Sequence, residues 1–165
     1  MAEKRRDQDA KRATLIVSGA FKAAADPKRP VDAPAALPPT PFVEFAPLEN
    51  AIAKLRASAT AYNTAYVAHG ATLSPESRIK LNGLLGDIDQ LLLDDRGLPG
   101  RPWFKNLIYA PGRFTGYGAK TLPGVREAIE ERRFDEANEY AVRTATAIEA
   151  YARRLDAARA VLETK

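Results

Sequence analysis

GLPGRPWFKNLIYAPGRFTGYGAKTLPG, residues Gly97 to Gly124, is the stretch on which the fold turns. It carries the only tryptophan, Trp103, with four prolines (Pro99, Pro102, Pro111 and Pro123) and six of the ten glycines. Segments of helical periodicity stand on both sides. Ordering so long a loop costs backbone entropy and returns little core, so a loop like this inside a compact chain is expected to have a task. Within it, only Leu107-Ile108-Tyr109 offers a strand-like run.

Upstream, Leu48, Ile52, Leu55, Ala59, Tyr62 and Tyr66 step by three and four residues, which predicts one face of a helix ending near His69-Gly70. Gly70 is expected to close it in the left-handed conformation. His69, the only histidine, favours the negative end of that helix and has no second His or Cys to join it. Ser74-Pro75-Glu76 then starts a second helix, serine as cap and proline at the first position. Its apolar face runs through Ile79, Leu81, Leu84, Leu85, Ile88, Leu91 and Leu92, wider than one neighbour needs.

Downstream, Pro123-Gly124 opens a short helix to about Arg133, and Phe134-Asp135 makes a tight joint. A long last helix is predicted from about Glu136 to Leu162. Its stripe is Ala137, Tyr140, Thr144, Ala147, Tyr151, Leu155, Ala158 and Leu162, with Ile148 beside it. The expected fold is all-α: a bundle of about four helices with one long central loop and an N-terminal arm.

The arm, residues 1–39, begins as a polar helix to about residue 25. Its thin stripe of Leu15, Ile16, Ala20 and Phe21 buries too little to hold it alone. A proline-rich connector follows (Pro27, Pro30, Pro34, Pro38, Pro39, Pro41 and Pro47), expected to be extended and pinned by Phe42, Val43 and Phe45. Residues 40–165 form the helical domain.

At 165 residues, 45% apolar and 28% charged, the chain is long enough for one real core. It has no cysteine, which excludes disulfides and thiol chemistry. The net charge of +4 is interspersed with acids, without the basic stripe or interleaved aromatics of a nucleic-acid surface. Leu15 to Val17 is too short for a signal-peptide core or a membrane span. No zinc-ligand spacing, P-loop, nucleophile elbow or dinucleotide fingerprint occurs, so no catalytic set or cofactor site is expected in this chain. Asp94-Asp95-Arg96-Gly97 is expected to be a helix exit with local charge pairing.

Gly97-Leu98-Pro99, Arg101-Pro102, Ile108-Tyr109-Ala110-Pro111, Tyr117 and Pro123-Gly124, in this order, resemble the C-terminal domain of the glutamate carboxypeptidase II family. That domain is shared with transferrin receptor and is called the transferrin-receptor-like dimerisation domain. Phe45-Ala46-Pro47-Leu48 and the Phe134-Asp135 joint suit it too, and the resemblance covers about residues 40–163. It implies a non-catalytic domain that pairs with its own copy. Its parent would be an exopeptidase, carboxypeptidase or aminopeptidase, binding two zinc ions in a separate upstream domain. Residues 1–39 would be the tail of that peptidase domain and a linker.

The resemblance further implies that the central loop helps form the substrate pocket of the peptidase domain. Tyr117 stands at the tyrosine of a Lys-Tyr pair that contacts substrate. The lysine's position holds Gly116, leaving Lys120 or Arg113 to supply the charge, and Asn106 replaces a loop histidine. The dimer contact is expected among Leu84, Leu85, Ile88, Leu91, Tyr140, Ala147 and Tyr151. The alternatives are a free-standing helical module that binds a peptide or protein, and a basic bundle associated with nucleic acid.

Overall fold

The computed structural model describes residues 2–23, 35, 38–114 and 116–164. The chain divides into two compact units, 1–42 and 43–165. In the first, α1 (Ala2–Val17) and α2 (Ala20–Ala23) replace the single helix predicted. The break falls at Gly19, whose φ of +69° is a conformation that glycine adopts freely. Residues 26–34, 36 and 37 of the proline-rich connector lie outside the described residues.

The second unit holds α3 (Ala46–His69), α4 (Pro75–Leu85), a hairpin of β1 (Tyr109–Pro111) and β2 (Ala119–Thr121), α5 (Pro123–Glu130) and α6 (Phe134–Glu163). The molecule is mainly helical, as the periodicity predicts, and the central stretch adds one small hairpin. Its strands pair antiparallel with Ala110 opposite Lys120, and three residues each are too few to be legible as period-two alternation. Helix α6 is the spine on which α3, α4 and α5 each pack.

Helices α3 and α6 run in the same direction. Leu48 and Ala51 near the start of α3 pack with Ala145 and Ile148, and Ala65 near its end packs with Ala158, Val161 and Leu162. Two parallel neighbours cannot be joined by a short turn. The chain has to travel back along the pair, which is what α4, the central stretch and α5 accomplish. Buried alanines along α6 (Ala137, Ala141, Ala145, Ala152 and Ala158) let its neighbours approach closely. Tyr140, Thr144, Ala147, Leu155 and Leu162 are buried as the periodicity predicts, and Tyr151 is half-buried.

Several local expectations are corrected. The buried line of α3 is Leu48, Ala51, Ser58 and Ala65, one step round from the predicted face, with Leu55 and Tyr62 half-buried. Ile52, Ala59 and Tyr66 are exposed. The small residues face α6 because a close parallel crossing has no room for larger ones. Gly70 has φ −58°, not a left-handed cap, and leads into a 3-10 turn, Gly70–Thr72. A Cβ there would lie 3.1 Å from the ring of Tyr66, an exposed side chain that would have to give slightly. Helix α4 stops at Leu85, and Ile88–Leu92 is a separate 3-10 turn. Gly86 at that boundary ends the regular helix, and Ile79 points to solvent.

The Ser74 cap is observed, its Oγ accepting from the Ser77 N–H at 3.1 Å. Val43 and Phe45 pack on the core while Phe42 is exposed. Asn138 on α6 holds this entry strand by accepting from the Glu44 N–H at 2.9 Å.

Candidate functional site: the central loop and its hairpin

The central stretch is an ordered scaffold. Its first half folds back on itself: the Asp94 N–H donates to Lys105, Leu98 to Phe104 and Leu107 to Leu92, each at 2.9–3.0 Å. Gly97, at φ +64°, sits where an added Cβ would lie 2.2 Å from the Pro102 carbonyl oxygen. No other residue fits there.

Helix α6 grips this fold through two side chains one turn apart. The Tyr140 hydroxyl donates to the Gly97 carbonyl at 2.8 Å. Arg143 takes Asp94 with both arms, Nε at 2.8 Å and Nη2 at 2.7 Å, and lies over the Tyr140 ring. The hydrogen bond from Arg143 is the main reason the Asp94 carboxyl is held below its ordinary value. Burial pushes the Tyr140 hydroxyl up. Asp94 is thus the anchor of the loop, and the charge pairing expected at the helix exit takes place mostly with a residue far along the chain. Asp95 pairs with Lys105 at 2.8 Å.

The second half rises as the hairpin and rests on α5. Arg101 and Glu127 form an ion pair at 2.6 Å, with both side chains almost wholly buried. The other guanidinium arm of Arg101 donates to the Pro111 carbonyl, and the second carboxylate oxygen of Glu127 accepts from the Arg113 N–H at 2.8 Å. On the far strand Lys120 pairs with Glu130, which lowers the Glu130 carboxyl below its usual range. Gly112 N–H to Gly118 carbonyl, 2.9 Å, closes the tip.

The residues singled out from sequence fall into this frame as follows. Tyr117 stands fully exposed at the hairpin tip. Arg113 spans the base of the tip, its guanidinium 3.5 Å from Glu131 and over the Phe114 ring. Lys120 is turned to α5. Asn106 lies elsewhere, before β1, where its side-chain oxygen accepts from the Ile108 and Tyr109 N–H groups at 2.8 and 3.0 Å and fixes the turn into the strand. It also lines an open groove of about 420 Å³ with Leu93, Trp103, Lys105, Tyr109 and Pro111.

Tyr140 and Ala147 are buried within their own chain. Leu84, Leu85, Ile88, Leu91 and Tyr151 are half-buried. The end of α4 and the following turn lie against α6, where Arg154 donates to the Leu84 carbonyl at 3.0 Å and to Asp87 at 2.8 Å.

Arg101, Glu127 and the Asp94–Arg143 pair were not predicted. The available signals were an acid, Glu127, set among Val125, Ala128 and Ile129 in α5, and an arginine among loop prolines. Neither names its partner. Among the described residues no group of three or more His, Cys, Asp or Glu side chains is placed to hold a metal ion. No helix among them is long and apolar enough to cross a membrane.

Comparison with known proteins matches residues 43–156 to the family described as the transferrin receptor-like dimerisation domain. The chain is 45% identical over 51 residues to "Probable glutamate carboxypeptidase LAMP1" of Arabidopsis thaliana, covering 31% of this chain and 8% of that protein. It is 31% identical over 109 residues to "Probable glutamate carboxypeptidase" of Arthroderma benhamiae, 66% of this chain and 15% of the relative. A third relative is the vacuolar protein sorting-associated protein 70 of Saccharomyces cerevisiae, 39% identical over 59 residues, 34% of this chain and 7% of the relative. The chain therefore corresponds to a small part of each of these proteins.

Proposed function

Because the chain belongs to the transferrin receptor-like dimerisation domain family, we propose that it is the homodimerisation domain of a glutamate carboxypeptidase-like zinc metallopeptidase, and that its hairpin loop completes the substrate pocket of a separate catalytic domain. The catalytic domain, an exopeptidase of carboxypeptidase or aminopeptidase type, holds two zinc ions and the general base. The relatives named glutamate carboxypeptidase support that parent class. This chain contributes pairing and positioning, on a bundle-like scaffold built from α3 to α6.

The observation that carries the proposal is the half-buried apolar strip of Leu84, Leu85, Ile88, Leu91 and Tyr151. It lies along the junction of α4, the next turn and α6. Residues of this kind, only partly covered by their own chain, suit a two-fold contact in which each copy supplies the same patch. The exposed hairpin tip with Tyr117 is, in turn, where a neighbouring domain's substrate would be met. Lys120 and Arg113 hold the flanks of that tip in ion pairs, which leaves Tyr117 as its most prominent contact.

The test is the solution mass of the chain by size-exclusion chromatography with light scattering, across a concentration series. A mass near twice 18.0 kDa is expected. A monomer at every concentration overturns the pairing function. The groove beside Trp103 and Tyr109 favours a second reading, a free-standing module that binds a peptide. A monomer whose Trp103 fluorescence titrates with added peptide would establish that one instead.

A further inference from the structure

Glu127 is a charged side chain in the core, 4% exposed, on a helix whose neighbouring positions Val125, Ala128 and Ile129 are buried and apolar. Placing a carboxylate there is costly unless every oxygen is satisfied. Here both are. One takes the Arg101 guanidinium at 2.6 Å and the other takes the Arg113 backbone N–H at 2.8 Å. Arg101 is itself 6% exposed and reaches the Pro111 carbonyl with its other arm. One buried pair therefore holds the backbone on both sides of Gly112, where β1 ends and the tip begins.

We propose that Arg101 and Glu127 are positioning residues that set where the hairpin tip, and Tyr117 with it, stands relative to α5. That this placement serves a substrate pocket rests on the function proposed above. The clamp itself does not. Two features single out this pair. A hairpin with three paired residues per strand is not stable by itself, so its position has to come from elsewhere. Two other ion pairs tie the hairpin to the end of α5, Lys120 to Glu130 and Arg113 to Glu131, and both are screened by solvent, with the Glu130 side chain 45% and the Arg113 side chain 40% exposed. Among the ion pairs of the described residues, the Arg101–Glu127 pair is the one that is both dry and bonded to the hairpin backbone.

If the carboxylate loses its charge, the buried guanidinium of Arg101 is left uncompensated. Opening the hairpin lets water reach Arg101 without unfolding the helices. The loss should therefore be local.

Hydrogen exchange on the full chain tests this. In Glu127→Gln, amides of residues 109–121 are expected to exchange about tenfold faster or more, while amides in the middle of α6 stay within about twofold of the unsubstituted chain. Arg101→Lys keeps the charge pair and loses the planar fork that reaches Glu127 and the Pro111 carbonyl with separate nitrogens, and should fall between the two. Hairpin amides that keep their original rates in a folded Glu127→Gln chain would overturn the proposal. So would an equal acceleration in the hairpin and α6, which would make the pair a general stabiliser. If Glu127→Gln does not fold by circular dichroism, Arg101→Lys carries the same comparison with the same two overturning outcomes. Light scattering on the same samples separates the two ideas. A monomeric unsubstituted chain counts against dimerisation and leaves the clamp untouched, and a loosened hairpin in a dimeric variant supports the clamp alone.

Discussion

Individual positions in this chain are set by backbone room and by charge. At Gly124 an added Cβ would lie 2.1 Å from the Tyr140 ring, and at Gly97 it would lie 2.2 Å from the Pro102 carbonyl with φ at +64°. Both contacts are below any distance real atoms adopt, and both neighbours are anchored, Tyr140 by its bond to Gly97. Gly97→Ala and Gly124→Ala should each cost about 2–4 kcal/mol in chemical denaturation. Asp94 supplies a pH prediction. Its folded carboxyl is held down, chiefly by Arg143. Its stabilisation is complete above the unfolded carboxyl value of about 3.9 and disappears as pH falls through the lower folded value. Asp94→Asn should therefore be less stable than the unsubstituted chain by about 2 kcal/mol at pH 7, a gap that closes as both are brought into acid.

At the scale of elements, α4 is short and locally determined. Ser74 caps it, and Ser74→Ala should lower thermal stability by about 1 kcal/mol. Gly83 lies inside α4, and a Cβ there meets nothing within 4 Å. Gly83→Ala should therefore stabilise the chain by about 0.5–1 kcal/mol, read as a raised denaturation midpoint at unchanged slope. These two changes act on the same eleven-residue helix in opposite directions, so their double variant should lie near the starting stability. The start and cap of α4 were legible because they depend on Ser74, Pro75 and their neighbours. Its end was not. The leucines continue through Leu92 with the same spacing, and Gly86 alone did not announce where tertiary contacts with α6 would turn the chain into a 3-10 segment.

For the whole molecule, pairing is the property to probe. Ile88→Asp places a charge in the half-buried strip while leaving the buried line of α6 intact. It should weaken self-association about tenfold or more, equivalent to about 1.4 kcal/mol, with helix content retained by circular dichroism. Unchanged association in that variant would move the contact to another face. The exposed side of α3, with Ile52, Tyr66 and Val67, is another apolar surface that the helices leave open.

By itself the sequence determined the helices of the second unit, the stripe of α6 and the order of motifs through the central stretch. Those follow from periodicity, capping and turn chemistry, which act over a few residues. The family was legible for the same reason, because its motifs lie in short runs such as Ile108-Tyr109-Ala110-Pro111. Only the tertiary structure decided which face of α3 is buried. Its stripe admits two faces one step apart, and the close parallel crossing with α6 selects the one lined by Ala51, Ser58 and Ala65. The tertiary structure likewise brought Arg101 to Glu127 and Asp94 to Arg143, pairs 26 and 49 residues apart. A charge carries no local mark of its partner. The partner is set by which elements the fold lays side by side, and here that is the return of the chain along two parallel helices.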